Sequence, residues 1–147
     1  MTIYMIFEIC ILLILVISAI GDIRNKEISL REVAACVAVS ASSATVGLMR
    51  GETGVIAILL SLIPGGIILL IGLLSRQQVG YGDALLALGA GPAMGLFCMG
   101  AGLLLALFFS SIFSLCLLAF KKAGKRTRIP FVPFMALGLG VMCFAPV

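Results

Sequence analysis

Two aspartates are the residues of this chain whose type and position could support catalysis. Asp22 follows a long apolar run, and Asp83 begins another, after the residues Gly80, Tyr81 and Gly82. Two carboxyl groups that share a low-dielectric site cannot both ionise easily, so one keeps its proton while the other carries the charge. The charged group can accept a proton from water, and the protonated group can donate to a carbonyl oxygen. Such a pair can hydrolyse a peptide bond without a metal ion.

The residues that other hydrolytic mechanisms require are scarce. The chain has no histidine, so a serine or cysteine nucleophile would lack its usual base. No two of the five cysteines are spaced C-x-x-C, and we interpret them as small buried residues rather than as a zinc or disulfide site. We therefore predict no metal ion and no other cofactor. The cysteines are Cys10, Cys36, Cys98, Cys116 and Cys143.

Ordinary structural roles are open for the same residues. Asp22 could be a loop residue or a helix cap, and Asp83 stands where the N-terminal cap of a helix would stand. Gly80 and Gly82 could simply form a tight turn. Of the four glutamates, Glu8 lies within the first apolar run, and we interpret the other three as loop charges. These three are Glu27, Glu32 and Glu52.

The composition places both aspartates in a membrane protein. Hydrophobic residues make up 63% of the chain and charged residues 11%, whereas a soluble domain carries about 25% charged residues. The 147 residues suffice for one domain. At about 20 residues per span, the chain can cross a bilayer about six times. We predict an all-α, polytopic membrane helix bundle of about six transmembrane helices, formed by residues 1–147 as a single domain.

The apolar runs define the predicted spans. We expect the first run to be a permanent helix and not a signal peptide, because its basic residues follow it instead of preceding it. The stretch Asp83–Phe120 is too long for one span, and we divide it near Gly91 and Pro92 or at Gly95. One long, tilted helix, with five spans in total, is the alternative. The other predicted spans are Ile3–Ile20, Val33–Met49, Gly54–Leu74 (interrupted at residues 64–66) and Pro130 to the C-terminus.

Small residues in these spans indicate which helices lie inside the bundle. Small side chains let helices approach closely and hydrogen-bond to one another. The second span is rich in Ser and Thr, and the fourth and fifth are rich in Gly, so we expect these faces to pack against other helices. The residues are Ser40, Ser42, Ser43, Thr45, Gly89, Gly91, Gly95, Gly100 and Gly102.

The distribution of basic residues predicts the orientation. All of the 10 Lys and Arg residues except Arg50 fall in loops one, three and five, which the positive-inside rule places in the cytoplasm. Asp22 and Asp83 then lie at similar depth, at the cytoplasmic edge of a multi-pass plasma or inner membrane protein. The basic run at residues 121–128 is expected to contact anionic lipid headgroups. It lacks interleaved aromatic residues, and we predict no nucleic-acid partner.

Three motifs resemble those of the type IV prepilin peptidases, which are intramembrane aspartyl proteases. Gly80 to Asp83 matches the G-x-G-D motif, and the residues that follow also fit. Asp22 with Ile28 resembles the family's first motif, in which D is followed six residues later by I-P. Residues 129–138, which include Pro130 and Pro133, resemble the segment I-P-F-G-P-F-L-A-L-G. The resemblance covers nearly the whole chain, with the motifs in the family's order.

The chain departs from the family pattern at three motif positions. Ser29 stands where proline is usual, Leu85 where lysine is common, and Val132 where glycine is usual. None of these changes removes a catalytic carboxylate. The long form of the family begins with a methyltransferase region that carries two C-x-x-C pairs. This chain resembles the short, stand-alone form without that region, so N-methylation is not expected.

The resemblance implies a function. The substrate would be a prepilin or pseudopilin precursor with a short cytoplasmic leader before a hydrophobic helix, cleaved at the cytoplasmic membrane face. Asp22 and Asp83 would be the catalytic pair, and Gly80 and Gly82 would let the backbone approach the substrate. Two other classes stay open on the residues alone. One is a small transporter or proton pathway that uses the aspartates as carriers, and the other is a non-enzymatic subunit of a pilus or secretion assembly. The oligomeric state is not predicted.

Overall fold

The described part of the chain is built from helices. The computed structural model describes residues 2–25, 28–74, 81–119 and 130–144. No strand occurs within these ranges, and the predicted all-α fold is confirmed. The helices are α1 (Thr2–Asn25), α2 (Leu30–Met49), α3 (Val55–Ser61), α4 (Ile63–Leu74), α5 (Tyr81–Ala119) and α6 (Val132–Phe144).

The length and apolar character of these helices suit a bilayer. Four stretches, Ile3–Arg24, Leu30–Met49, Val55–Leu74 and Tyr81–Ala119, are long and apolar enough to span one, and α6 is a shorter apolar helix. Large apolar side chains are exposed on their outer faces, where water would be an unfavourable neighbour and lipid a favourable one. Examples are Leu13, Ile17, Ile56, Ile71, Leu104 and Phe108.

The second predicted span is partly inside the bundle. Helix α2 begins at its cap residue Ser29, whose side chain accepts a hydrogen bond from the backbone N–H of Arg31. Ser40 and Ser43 are buried on its inner face, as predicted. Ser42 is exposed instead and donates to the carbonyl oxygen of Ala38 in its own helix. A serine in lipid can satisfy its hydroxyl in this way, so polarity alone did not identify the buried face.

Helix α5 changes direction at Gly95. This residue has φ 76° and ψ 164°, a backbone conformation that glycine adopts without the strain of a side chain. Before the turn, Met94 contacts Cys143 at the end of α6. After the turn, the successive contacts of α5 run from the end of α6 towards the beginning of α6. They join Cys98 to Cys143, Gly102 to Leu139, Ala106 to Gly138 and Phe113 to Phe134.

Close backbone contact holds α4 against the first half of α5. A Cβ atom at Gly65 would lie 2.5 Å from the backbone N and Cα atoms of Leu88. At the neighbouring Gly66, nothing lies within 4 Å of a Cβ atom. Gly91 in the same way contacts the carbonyl group of Ser61. The glycines of the third and fourth predicted spans therefore allow the approach that carries Asp83 into the bundle.

A pair of alanine substitutions tests this contact. We expect Gly65→Ala to lower the free energy of unfolding by about 1–3 kcal/mol, because backbone atoms cannot rotate away from the added methyl group. Gly66→Ala adds the same methyl group to open space and should leave stability unchanged or slightly raised. Thermal unfolding of the two variants in one detergent measures the difference. Equal midpoints would show that α4 and α5 do not meet at Gly65.

Candidate active site

Asp22 lies near the end of α1 and contacts the beginning of α6. The backbone N–H groups of Phe131 and Val132 lie beside its carboxylate, towards which they can donate. The side chain is 8% exposed, and its Oδ2 atom is buried without a hydrogen-bond partner among the described residues. Two backbone donors and the positive end of a helix dipole stabilise negative charge at this carboxylate.

Phe131 and Val132, which supply these donors, belong to the third motif. Phe131 caps α6, because its carbonyl oxygen accepts hydrogen bonds from the N–H groups of Phe134 and Met135. Val132 is then the first helical residue, and Pro133 follows in the first turn, where its missing N–H has no intrahelical role. Pro130 precedes the helix and is partly buried. The free N–H groups at this helix end therefore point towards an acceptor from another helix.

Asp83 occupies the first turn of α5 and is also 8% exposed. Its carboxyl group lies within electrostatic range of that of Asp22. An acidic side chain is favourable at a helix N-terminus because the dipole is positive there. The two aspartates of the chain are thus brought together from helices that are separated by about 60 residues of sequence.

Gly82 makes the contact that joins the first two motifs. A Cβ atom at Gly82 would lie 2.8 Å from the Cβ atom of Ile28 and 2.9 Å from its Cδ1 atom. The residue six positions after Asp22 thus packs directly on the residue before Asp83. Gly80, the other motif glycine, lies outside the described residues, as do Lys26, Glu27 and the basic run at 121–128.

Sequence reasoning missed two polar groups in this region. Ser18 lies one helical turn before Asp22, is 0% exposed, and its hydroxyl lacks a partner within the described ranges. Glu32, interpreted from the sequence as a loop charge, is in the first turn of α2 instead. Its Oε1 atom would lie 3.6 Å from a Cβ atom at Gly21, next to Asp22. The spacing of Ser29 and Glu32, S-x-x-E, is a helix-start signal that could have identified it.

The arrangement suits acid–base chemistry on a bound substrate. In residues 2–25, 28–74, 81–119 and 130–144, no group of three His, Cys, Asp or Glu side chains could hold a metal ion. The site offers a pair of buried carboxyl groups, one of which lies beside two backbone N–H groups. No family model matches the chain, and neither a curated protein nor a solved structure is significantly similar to it.

Proposed function

We propose that this chain is an intramembrane aspartyl endopeptidase of the prepilin peptidase type. It removes the short N-terminal leader from prepilin-like precursors at the cytoplasmic face of the plasma or inner membrane. The observation that carries the proposal is the meeting of Asp22 and Asp83, both nearly buried, at the N-terminus of α6. All three motifs that resemble the family contribute to this one place.

The surroundings of the two carboxyl groups give them different roles. The N–H groups of Phe131 and Val132 favour negative charge on Asp22, so Asp83 holds the shared proton. Asp22 then takes a proton from water as the water oxygen attacks the scissile carbonyl carbon, and Asp83 donates its proton to the carbonyl oxygen. As the tetrahedral intermediate collapses, the C–N bond breaks. Asp22 gives its proton to the leaving amine, and Asp83 recovers its own from the hydroxyl group.

The proposed topology has six spans. The turn at Gly95 supports two antiparallel spans within α5. The first half runs from Asp83, which lies near Asp22 and the beginning of α6, to Met94 at the end of α6. The second half runs back from Cys98 to Phe113, which contacts Phe134 near the beginning of α6. If α3 and α4 together form one span, the end of α1, the beginning of α5 and the beginning of α6 all lie at the same face of the membrane. Arg24 and Arg31 are at this face and Arg50 is at the other, which supports a cytoplasmic position for the aspartates.

This orientation defines the substrate. A prepilin-like precursor presents a short polar leader to the cytoplasm and continues into the bilayer as a hydrophobic helix. Its cleavage site is therefore at the depth proposed for Asp22 and Asp83. Gly82 packs against Ile28 beside Asp83, so a side chain at this position would disturb the beginning of α5 where the substrate must reach Asp83.

Gly82→Ala should reduce cleavage strongly. The added methyl group would overlap Ile28 and displace the adjacent Asp83, and a misplacement of about 1 Å can lower a rate about 100-fold. Ile28→Ala removes two of the three contacting atoms and should restore part of the activity in the double variant. Initial rates of leader removal at equal protein levels measure both effects. Full activity of Gly82→Ala would contradict this contact.

Leader removal from a co-expressed precursor tests the proposed function. The host is a bacterium without its own prepilin peptidase, the substrate is a prepilin-like protein, and intact mass reports the loss of the leader. We expect the wild-type chain to trim the precursor and a double variant, Asp22→Asn with Asp83→Asn, to leave it intact. If the inserted wild-type chain trims none of a panel of such precursors, the substrate class is wrong.

A further inference from the structure

Three sulfur atoms meet on the far side of the bundle from the aspartates. The Cys143 Sγ atom lies 3.6 Å from the Met94 Sδ atom. The Cys98 thiol lies beside the Cys143 thiol. Glu8 of α1 is within electrostatic range of both thiols. The cluster therefore lies where the two helical halves of α5 on either side of Gly95 meet the last turn of α6 and the first half of α1.

The turn at Gly95 is what creates this cluster. Met94 ends the first half of α5 and Cys98 begins the second, so the reversal places both beside the end of α6. Met94 is 5% exposed, and the two cysteines are partly buried. A partly enclosed group of sulfur atoms can offer several ligands to one metal ion, which an isolated buried cysteine cannot do.

We propose that Cys98, Cys143 and Met94 bind one soft monovalent metal ion of the Cu(I) class. Thiolate and thioether sulfurs are the ligands that such ions prefer. With metal–sulfur bonds of about 2.3 Å, three sulfurs around one ion are separated by about 4 Å. The 3.6 Å between Cys143 and Met94 is already near this spacing. This donor set differs from the His, Cys, Asp and Glu groups of zinc sites because one ligand is a thioether.

Binding exchanges protons for the metal ion. Each of the two thiols releases its proton as its sulfur forms a bond to the ion, and the thioether of Met94 binds without losing a proton. No electron is transferred, because the ion enters and remains as Cu(I). The inference does not depend on the proposed peptidase activity.

Anaerobic titration of the purified full-length protein tests the site. Cu(I) is added in detergent against a chromogenic Cu(I) chelator, and bound copper is measured. We expect the wild type to withdraw one equivalent per chain from the chelator. Cys98→Ser and Cys143→Ser should each abolish this, and Met94→Leu should weaken it. Cys143→Met, which keeps a sulfur donor, should retain part of it. The matched control is Cys116→Ser, since Cys116 is exposed elsewhere on α5 and its loss should change nothing.

Three results would overturn the site. One is a wild type that takes no copper from the chelator, and another is a Cys116→Ser variant that binds as poorly as Cys98→Ser. The third is a disulfide between Cys98 and Cys143 in protein taken from membranes without reductant, detected by thiol counting and peptide mass. Asp83→Asn should bind copper as the wild type does, so an inactive peptidase and an absent metal site are distinguishable.

Discussion

Asp22→Asn and Asp83→Asn should each lower the rate of leader removal about 100- to 10,000-fold, the contribution usual for a general acid or base. An amide at position 22 cannot accept the proton of the attacking water. An amide at position 83 cannot supply a proton to the carbonyl oxygen. Asn has nearly the shape of Asp, so both variants keep the packing around the two nearly buried side chains. Leader loss over time, followed by intact mass, measures the rates.

The double variant separates a catalytic pair from two independent carboxylates. Residues that act as a unit show strongly non-additive effects, so the double variant should be no slower than the slower single one. Glu52→Gln is the matched control, because it makes the same acid-to-amide change at an exposed residue of the opposite face. Trimming at the wild-type rate by either Asp variant would remove that residue from the mechanism.

Val132→Pro should slow cleavage about 10- to 100-fold while α6 stays folded. Proline has no N–H, so one of the two backbone donors to Asp22 is lost. A hydrogen bond to a charged group contributes about 1.5–3 kcal/mol, and about 1.4 kcal/mol corresponds to a tenfold rate change. Proline is well tolerated at the first helical position, which Val132 occupies. The measurement is the rate of leader removal at equal amounts of inserted protein.

Val132→Ala is the companion variant that isolates the N–H group. It keeps the backbone donor but shortens a side chain that is 0% exposed. Any effect of lost packing should therefore appear in both variants, whereas the effect of the missing donor should appear only with proline. Thermal unfolding of the two proteins checks that α6 is intact. Equal cleavage rates for Val132→Pro and Val132→Ala would show that the N-terminus of α6 does not support the charge on Asp22.

Local patterns were sufficient to predict the helices and to select the two aspartates. A bilayer demands long apolar helices, so hydropathy alone located α1, α2 and the combined α3–α4 stretch. Asp22 and Asp83 were selected because residues that could act in catalysis are scarce in such a chain and because both aspartates stand at the ends of apolar runs. These properties belong to single segments, so they can be recognised from the amino-acid sequence of each segment alone.

Contacts between segments were decided by the tertiary structure. The sequence left the division of α5 open between Gly91, Pro92 and Gly95, and the backbone turns at Gly95, where glycine adopts the positive φ without strain. That same turn brings Cys98 to Cys143, which the sequence treated as separate buried residues. Glu32 looked like a loop charge until α2 placed it beside Gly21.

The physical reason is the range of the interactions. Hydropathy and helix signals act over one or two turns of chain, so they can be recognised in a linear sequence. The donors to Asp22 come from Phe131 and Val132, more than 100 residues later, and no periodicity connects them. Only the packing of α1, α5 and α6 around one another turns two isolated carboxyl groups and a free helix end into one site.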